Sequence, residues 1–250
     1  MKNFKDHFSD ASSDYKTYRP QYPDELFKFL AELAPTTQHV WDCGCGNGQA
    51  STALADFFQT VSASDASEEQ IKQAEKKINI QYSISPAESI AAPDNSLDLI
   101  TVAQAVHWFN HDAFFSEVNR VLKSDGVLAV WGYQLIYTDS PLDSIVKKLH
   151  TEIVGPYWPK GRELLDDGFS KITFPYPRLE APKFFMSAEW NFSELLGYLN
   201  TWSAVKRYQQ EQQENPIELI LNELKMAWGV NENERRRVSW PLILYLGKKP

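Results

Sequence analysis

A short apolar strand that runs directly into a glycine-rich turn, and then into a helix, most constrains the fold of this chain. The strand is predicted over residues 39–43, and the turn holds Gly44, Gly46 and Gly48 before a helix that begins near Ala50. Glycines let the backbone turn sharply and approach a ligand closely, which a Cβ would obstruct. The three glycines alone also fit a tight turn that binds nothing.

Strands and helices alternate through the first half of the chain. Further strands are predicted over residues 61–65, 81–84, 97–102 and 127–131, with a helix in most of the intervals. This alternation predicts an α/β fold with a doubly wound, mostly parallel sheet. Right-handed crossovers then place a ligand crevice at the carboxyl ends of the strands.

Helical periodicity gives two more detailed predictions, and local composition gives a third. Ile71, Ala74 and Ile78 are expected to form the buried face of the third helix, and residues 195–205 are expected to form one helix. The glutamine- and glutamate-rich residues 209–215 are expected to be an exposed polar stretch.

The end of the chain predicts one more strand, over residues 238–246. Pro241 lies inside this strand and predicts a bulge or a start after the proline, because proline cannot donate to a ladder. The region before it is less regular, and residues 155–177 are dense in proline, glycine and aromatic side chains.

Composition excludes several classes of function. The net charge of -8 argues against nucleic acid as a partner, since phosphate neutralisation needs a basic surface. No run approaches the roughly 20 apolar residues of a membrane span, and the polar start is unlike a signal peptide, so we expect a cytoplasmic protein without membrane contact. Cys43 and Cys45 read as small residues in a tight loop, and no metal site is predicted.

Two aspartates stand at positions that suit a nucleoside ligand carrying an amino group. Asp42 precedes Gly44 by two residues, where a fixed carboxylate would repel a pyrophosphate but favour an amino group. Asp65 ends the second predicted strand, where an acid can accept hydrogen bonds from both ribose hydroxyls. A turn or helix-capping aspartate is the alternative for Asp65, although Ser67 already fills the capping position.

These motifs resemble those of the class I S-adenosylmethionine-dependent methyltransferases, in particular their small-molecule "type 11" branch. The resemblance rests on residues 42–48, on Asp65, and on the segment Val102-Ala-Gln-Ala-Val-His-Trp-Phe109 after the fourth strand. Tyr18-Arg-Pro-Gln-Tyr-Pro23 and Thr201-Trp-Ser203 are similar to the trans-aconitate methyltransferase-like members. The resemblance implies a seven-stranded sheet with an antiparallel late strand and S-adenosylmethionine as cofactor.

The resemblance also implies an organisation and a cofactor site. One domain over residues 1–250 would comprise a cofactor-covering segment at 1–35, a cofactor-binding core at 36–135, an acceptor-site insertion or cap at 136–230 and the late strand at 236–248. The implied cofactor-binding residues are Tyr18, Arg19, Asp42, Gly44, Gly46, Gly48, Asp65, Ala66, Ala87, Glu88, Gln104 and Ala105. Asp42 would hold the amino group directly or through water, Asp65 the ribose, and the backbone of Gln104 would face the sulfonium end.

Candidate acceptor-site residues are fewer and more ambiguous. His107 is the candidate catalytic residue, as a base or as a hydrogen-bond donor to a carboxylate, or it is only a polar residue at a strand end. Trp108 would wall the pocket or pack behind the sheet, and Arg207 would pair with an anionic acceptor or end a solvated helix. The remaining aromatics expected to line or cover an apolar acceptor are Tyr157, Trp158, Phe169, Phe174, Tyr176 and Trp202.

The resemblance therefore implies transfer of a methyl group to a small-molecule acceptor by in-line displacement. Oxygen, in a carboxylate or a phenol, is the favoured acceptor atom. A nicotinamide-dependent oxidoreductase is an alternative, but the GxGxG spacing, Asp42 and the late strand disfavour it. A non-catalytic S-adenosylmethionine-binding regulator is a second alternative, since its binding motifs would be identical.

Overall fold

A computed structural model describes residues 20–250, and its strands form one seven-stranded sheet. The strands are β1 (His39–Cys43), β2 (Thr60–Asp65), β3 (Ile80–Ile84), β4 (Leu97–Ala103), β5 (Leu122–Tyr133), β6 (Phe185–Trp190) and β7 (Arg236–Lys248). Their order is β3-β2-β1-β4-β5-β7-β6, with β1 to β5 parallel and β7 antiparallel to both neighbours. The predicted α/β fold with an antiparallel late strand is confirmed.

Helices cover both faces of this sheet. They are α1 (Asp24–Leu33), α2 (Gln49–Leu54), α3 (Glu68–Lys72), α4 (His111–Val121), α5 (Leu142–Lys148), α6 (Glu163–Asp166), α7 (Phe192–Asn200), α8 (Ser203–Gln212) and α9 (Leu221–Trp228). Along the described residues, no helix combines the length and the apolar character needed to cross a bilayer.

The core has two halves because side chains alternate along each strand. On β5, Val127, Ala129 and Trp131 join the cluster on one face, whereas Leu128 and Val130 join the cluster on the other. The first cluster also holds α1 and the helices of the cap, and the second holds α4 and the segment after α6. Both faces of the central strands are therefore buried from solvent, as expected for a parallel sheet covered by helices.

Asp98 anchors the amino-terminal edge of the sheet, opposite the predicted crevice. Its carboxylate is fully buried and accepts hydrogen bonds from Thr36 Oγ1 (2.7 Å) and from the backbone amides of Gln38 (3.1 Å) and His39 (2.9 Å). Lys123 Nζ lies 2.7 Å from the same carboxylate. A buried charge needs such partners, so Asp98 ties the starts of β1, β4 and β5 together.

The third helix is shorter than predicted. α3 ends at Lys72, and the chain then runs irregularly to β3, whose Ile80 pairs with Val61 of β2. Ala74 is buried, but Ile78 is fully exposed. The prediction that Ile78 belongs to a buried helical face is wrong, because the chain must leave the helix early to reach its register on the sheet edge.

The region predicted as one helix over residues 195–205 is two helices. α7 ends at Asn200, and α8 begins at Ser203 with Trp202 in an extended conformation as its N-cap. Burial of the Trp202 indole at this break fixes the change of direction. α8 then continues to Gln212, so the polar residues from 209 to 212 are helical.

Pro241 lies in the interior of β7, without the predicted bulge or late start. β7 pairs with β6 up to Pro241, which faces Phe185, and with β5 from Leu242, which faces Tyr133. The proline therefore stands where the strand changes partners. Its carbonyl accepts from the Gln134 amide (3.3 Å), and the missing N–H costs no ladder hydrogen bond.

Candidate functional site

A cavity of about 280 Å³ opens at the carboxyl ends of the parallel strands. Nine predicted site residues line it: Gly44, Gly46, Asp65, Ala66, Ala87, Glu88, Gln104, Ala105 and Trp108. Loops that follow β1, β2, β3 and β4 supply them, so the crevice lies where the parallel topology places it. Its size and mostly small lining residues suit a nucleoside-sized ligand.

The turn after β1 requires glycine at two positions, because the backbone there is left-handed and neighbouring side chains leave no room for a Cβ. Gly44 has φ +69°, and a Cβ there would lie 2.6 Å from the Cβ of Ala105. Gly48 has φ +84°, and its added Cβ would meet the Tyr82 hydroxyl at 2.3 Å. Gly44 therefore brings the loop against the end of β4, whereas Gly48 packs on Tyr82 and is not among the residues that line the cavity.

The amides of this turn are used within the protein. Those of Gly44 and Cys45 both donate to the Ser64 carbonyl (2.8 and 3.0 Å), and that of Gly46 donates to Asp65 Oδ2 (2.9 Å). A pyrophosphate site instead presents such amides to the ligand. The loop geometry therefore disfavours the dinucleotide alternative and fits a ligand without phosphates.

Asp65 is held in place at the end of β2. Its Oδ2 accepts from the Gly46 amide, and its Oδ1 accepts from the Ser67 amide at 2.8 Å. A carboxylate can accept about four hydrogen bonds, so one oriented by backbone amides at the cavity wall suits a pair of ligand hydroxyls. Glu88 also lines the cavity, and its carboxylate accepts a hydrogen bond from the backbone amide of Asn110 (2.9 Å) at the start of α4.

Asp42 is not part of the cavity wall. Its side chain is fully buried, with Oδ2 accepting from Ser51 Oγ (2.6 Å) and Oδ1 from Thr101 Oγ1 (2.9 Å). Burial raises the pKa of Asp42 to about 6, even though both hydroxyl groups stabilise the charged form. The expectation that Asp42 directly holds a ligand amino group is therefore corrected: the carboxylate ties α2 to β4 behind the glycine turn.

Gln104 turns the chain at the end of β4. Its φ of +58° is left-handed, which is uncommon for a residue with a side chain, and its amide donates to the Trp131 carbonyl (2.9 Å). In the described part of the chain, Gln104 Nε2 is buried and has no hydrogen-bond partner. Strained backbone and an unpaired polar group at one position point to a functional residue.

His107 lies in the short turn Val106–Trp108, next to the cavity but not among its lining residues. Its ring is 4.8 Å from that of Trp108, and its Nδ1 is buried without a partner among the described residues. Burial, with the nearby cation of Arg162, lowers the pKa of His107 to about 4. The imidazole is therefore neutral at neutral pH. Because His107 does not line the cavity, its position does not support the expected role as a base.

Four predicted acceptor residues, three aromatics and one arginine, lie in the cap, outside the lining of the cavity. Trp158 and Trp202 have ring centroids 5.6 Å apart, and Tyr157 packs on Tyr208 at 5.0 Å. Arg207 is used within the cap, since its guanidinium donates to the Tyr157 carbonyl (3.4 Å). The structure therefore separates Tyr157, Trp158, Trp202 and Arg207 from Trp108, which lies on the cavity wall.

Three other aromatics predicted to cover the acceptor pack elsewhere. Phe174 stacks on Tyr245 of β7 with ring centroids 3.5 Å apart, and the Tyr176 hydroxyl bonds Asn119 (3.3 Å) on α4. Phe169 is buried in the same cluster, and its Cζ would lie 3.5 Å from a Cβ on Gly132, a point that is 3.4 Å from Gln104 Oε1. None of the three lines the cavity, because the chain after α6 descends along the face of the sheet that α4 covers.

Several lining residues were not predicted, notably Tyr22, Gln70 and Phe109. Tyr22 and Phe109 belong to segments that the sequence already singled out, at 18–23 and 102–109. Tyr18 and Arg19 lie outside the described residues. Gln70 carries no sequence signal beyond its position after the Ser67 cap.

Comparison with known proteins gives a consistent result. A family model described as "Methyltransferase domain" matches residues 41–130. A Dictyostelium discoideum protein named as a methyltransferase is 32% identical over 98% of this chain and 96% of its own. A Saccharomyces cerevisiae protein named as an S-adenosylmethionine-dependent methyltransferase is 27% identical over 99% of this chain and 97% of its own.

A solved structure from Anaeromyxobacter dehalogenans, described as a type II methyltransferase, is 38% identical with a TM-score of 0.87. It covers 92% of this chain and 98% of its own length, so the similarity includes the cap as well as the sheet. The chain therefore belongs to the class I S-adenosylmethionine-dependent methyltransferases, and S-adenosylmethionine is its cofactor.

Proposed function

We propose that this enzyme transfers a methyl group from S-adenosylmethionine to an oxygen atom of a small-molecule acceptor. The observation that carries the cofactor part of this proposal is the cavity at the strand ends, where the loop amides are satisfied internally and carboxylates stand at the wall; the oxygen acceptor extends the expectation from the sequence. Such a wall suits a ligand with hydroxyl and amino groups and no phosphate.

Each side of the cavity has its own part of the cofactor to bind. Asp65 would accept hydrogen bonds from the ribose hydroxyls, and Ala66 would pack against the adenine; both line the cavity. Ala87 and Glu88 would lie along the adenine edge, while Gly44, Gly46 and Ala105 would leave room for the methionine portion. Tyr18 and Arg19 are proposed to cover the cofactor from the segment that precedes Tyr22.

Catalysis in this proposal comes mainly from positioning. S-adenosylmethionine bound in the cavity would supply the methyl group for in-line displacement, in which the bond to the acceptor oxygen forms as the carbon–sulfur bond breaks and the electron pair stays on a neutral thioether. Holding the reacting groups in line is worth roughly 7–11 kcal/mol. The protein fixes the acceptor side with Gln104 and Trp108 at the cavity wall.

The need for a base depends on the acceptor. A carboxylic acid is already ionised at neutral pH, whereas a hydroxyl must lose its proton to solvent or to a side chain. His107 is neutral and could accept a proton, but it lies behind Trp108 rather than on the cavity wall. The geometry therefore favours an acceptor that reacts without a base from the protein.

The test compares the wild-type enzyme with Asp65→Asn. The substitution keeps the size of the side chain but removes one oxygen that accepts hydrogen bonds, so S-adenosylhomocysteine should bind at least about tenfold more weakly. Asp56→Asn is the matched control, because Asp56 is an exposed partner of Lys77 far from the cavity, and its affinity should be unchanged. Equal affinity of Asp65→Asn and wild type would contradict the proposed ribose contact.

A further inference from the structure

The β3–β4 loop, residues 85–96, forms one wall of the cofactor cavity. Its first four residues line the cavity, among them Ala87 and Glu88. The structure describes the whole loop, and none of it lies in a helix or a strand. Backbone amides and carbonyls still need hydrogen-bond partners, so an irregular loop of this length must find them on a neighbouring element.

Helix α4 supplies partners for the second half of the loop. Glu117 Oε1 accepts a hydrogen bond from the amide of Ile90 at 2.9 Å. The carbonyl of Arg120 accepts one from the amide of Asn95, also at 2.9 Å. The last turns of α4 therefore fix the path of the loop as it returns to β4.

The Arg120 side chain uses all five of its N–H groups at this contact. Nη1 donates to the Ala92 carbonyl (2.8 Å) and to Asp94 Oδ1 (2.7 Å). Nη2 donates to the Ile90 carbonyl (3.2 Å) and to Glu117 Oε1 (2.7 Å), and Nε donates to Glu117 Oε2 (2.8 Å). Only a planar guanidinium offers five donors in a fixed arrangement, so Arg120 holds three loop positions at once.

The contact between Arg120 and Glu117 is stronger than an ordinary surface ion pair. One guanidinium bonds both carboxylate oxygens, which is the geometry that charge-assisted hydrogen bonds favour. The Glu117 side chain is 13% exposed, whereas that of Asp94 is 69% exposed and contributes little. Hydrogen bonds from Arg120 lower the pKa of Glu117, so this carboxylate is charged at neutral pH.

The same helix also holds the cavity end of the loop. Glu88 Oε1 accepts a hydrogen bond from the amide of Asn110, the N-cap of α4, at 2.9 Å. Glu88 lies two residues before Ile90, whose amide and carbonyl are bonded by Glu117 and Arg120. The Glu88 carboxylate is therefore fixed by its own bond to Asn110 and by the backbone that follows it.

A fixed carboxylate at this position can distinguish two similar purine bases. A carboxylate only accepts hydrogen bonds and has room for about four, so Glu88 can accept one from a ligand besides that from Asn110. The 6-amino group of adenine donates hydrogen bonds, whereas the 6-oxo group of hypoxanthine accepts them. A Glu88 side chain that is not held in place would lose this distinction.

We propose that Arg120 is a positioning residue that sets the preference of the cofactor site for an adenine base. Arg120 does not line the cavity and acts through the β3–β4 loop, which it fixes so that Glu88 faces the base. This rests on the proposed function, in which adenine lies along Ala87 and Glu88.

The test measures two dissociation constants by isothermal titration calorimetry. The ligands are S-adenosylhomocysteine and S-inosylhomocysteine, which carries the 6-oxo base on the same ribose and amino-acid portion. The wild-type protein should bind S-adenosylhomocysteine about tenfold or more tightly. The ratio of the two Kd values is the readout, because a general loosening of the protein would weaken both ligands alike.

Arg120→Met is the decisive variant because it removes all five donors and keeps an unbranched apolar stem. The Kd ratio should fall to about threefold or less, mainly through weaker binding of S-adenosylhomocysteine. Arg120→Lys should give an intermediate ratio, since its three donors sit on one nitrogen. Arg235→Met is the matched control, because Arg235 pairs with Glu194 of α7 at 3.2 Å, beside the edge strand β6, and the ratio should not change.

Glu117→Gln is a milder second variant that keeps the shape of the side chain but replaces one oxygen bonded by Arg120 with a donor. Its Kd ratio should fall about threefold while its thermal melt stays close to that of the wild type. If Arg120→Met does not fold, Arg120→Lys and Glu117→Gln decide by the same ratio.

A Kd ratio that stays at the wild-type value in the folded variants would overturn the inference, even if both Kd values rise. A wild-type protein that binds both ligands equally would also overturn it. A wild-type protein that binds neither ligand would overturn the proposed function instead.

Discussion

The two sides of the site differ in how their polar groups are satisfied. Around the glycine turn, the amides of Gly44, Cys45 and Gly46 and the carboxylate of Asp65 bond one another or the neighbouring strand. Around α6, the side chains of Gln104 and His150 are buried without partners in the part of the chain that the structure describes. The groups around the glycine turn are held by partners within the protein, with Asp65 at the cavity wall, whereas Gln104 Nε2 and the His150 ring nitrogens have hydrogen-bonding capacity that no described residue uses.

This difference teaches which interactions are structural and which are functional. A self-satisfied loop keeps its shape whether or not the cavity is filled, so changes there should affect folding and cofactor binding together. Unpaired groups stabilise nothing in the free enzyme. Substitutions that remove these unpaired groups should therefore leave the free energy of unfolding unchanged or raise it.

The largest effect that sharpens the contrast is expected for Gly44→Ala. The added Cβ must adopt φ +69° and would lie 2.6 Å from the Cβ of Ala105, which cannot move without shifting backbone. Left-handed strain and overpacking together should lower the free energy of unfolding by about 2–4 kcal/mol. Urea denaturation measures the loss, and S-adenosylhomocysteine binding should fall with it. A variant of wild-type stability and affinity would show that the turn is not closely packed.

An effect of about 3 kcal/mol is expected from Asp42→Asn at high pH. The folded pKa of Asp42, about 6, lies above its usual 3.8, so its contribution to stability is fully present below pH 3.8 and is lost as pH rises through 6. The variant has no carboxyl group to titrate at this position. Its free energy of unfolding should therefore increase relative to that of the wild type as pH rises, by about 3 kcal/mol near pH 8. Denaturation at several pH values measures the difference, and a constant difference would contradict the burial of a charged carboxylate.

The smallest effect at neutral pH is expected from His107→Phe. Removing an unpaired buried nitrogen while keeping a ring beside Trp108 should stabilise the protein by about 1 kcal/mol. The lowered pKa of His107 means that wild-type stability falls as pH drops from 6.5 towards 4, so the advantage of the variant should grow at acidic pH. Thermal melts at pH values above and below 6.5 measure it. If the variant is less stable than the wild type at both pH values, the His107 ring makes a stabilising hydrogen bond in the folded protein, which would contradict this prediction.

The cofactor side was predictable because its signals are local. The strand–glycine–helix pattern and the strand-end position of Asp65 depend only on neighbouring residues, and both are found as expected. Asp42 and Gly48 are exceptions: the sequence could not show that Ser51 and Thr101 enclose Asp42, or that Gly48 packs on Tyr82.

The surroundings of α6 were not predictable because their contacts join distant segments. His150 meets Asp166 and the Trp158 and Trp202 rings only through tertiary packing, and no periodicity indicates it. Phe174 was misplaced for the same reason: an irregular segment gives no sign of the sheet face it will cover. Pro241 shows a similar limit for strands. A proline is tolerated at this position because the pairing partner of β7 changes there from β6 to β5, which the sequence of β7 alone does not reveal.

Isothermal titration calorimetry tests the central claim most directly, by comparing S-adenosylhomocysteine with NAD on the wild-type protein. Because the turn amides bond Ser64 and Asp65 rather than facing a ligand, we predict one-to-one binding of S-adenosylhomocysteine with a Kd on the order of micromolar and no binding of NAD. Binding of NAD without binding of S-adenosylhomocysteine would contradict the account.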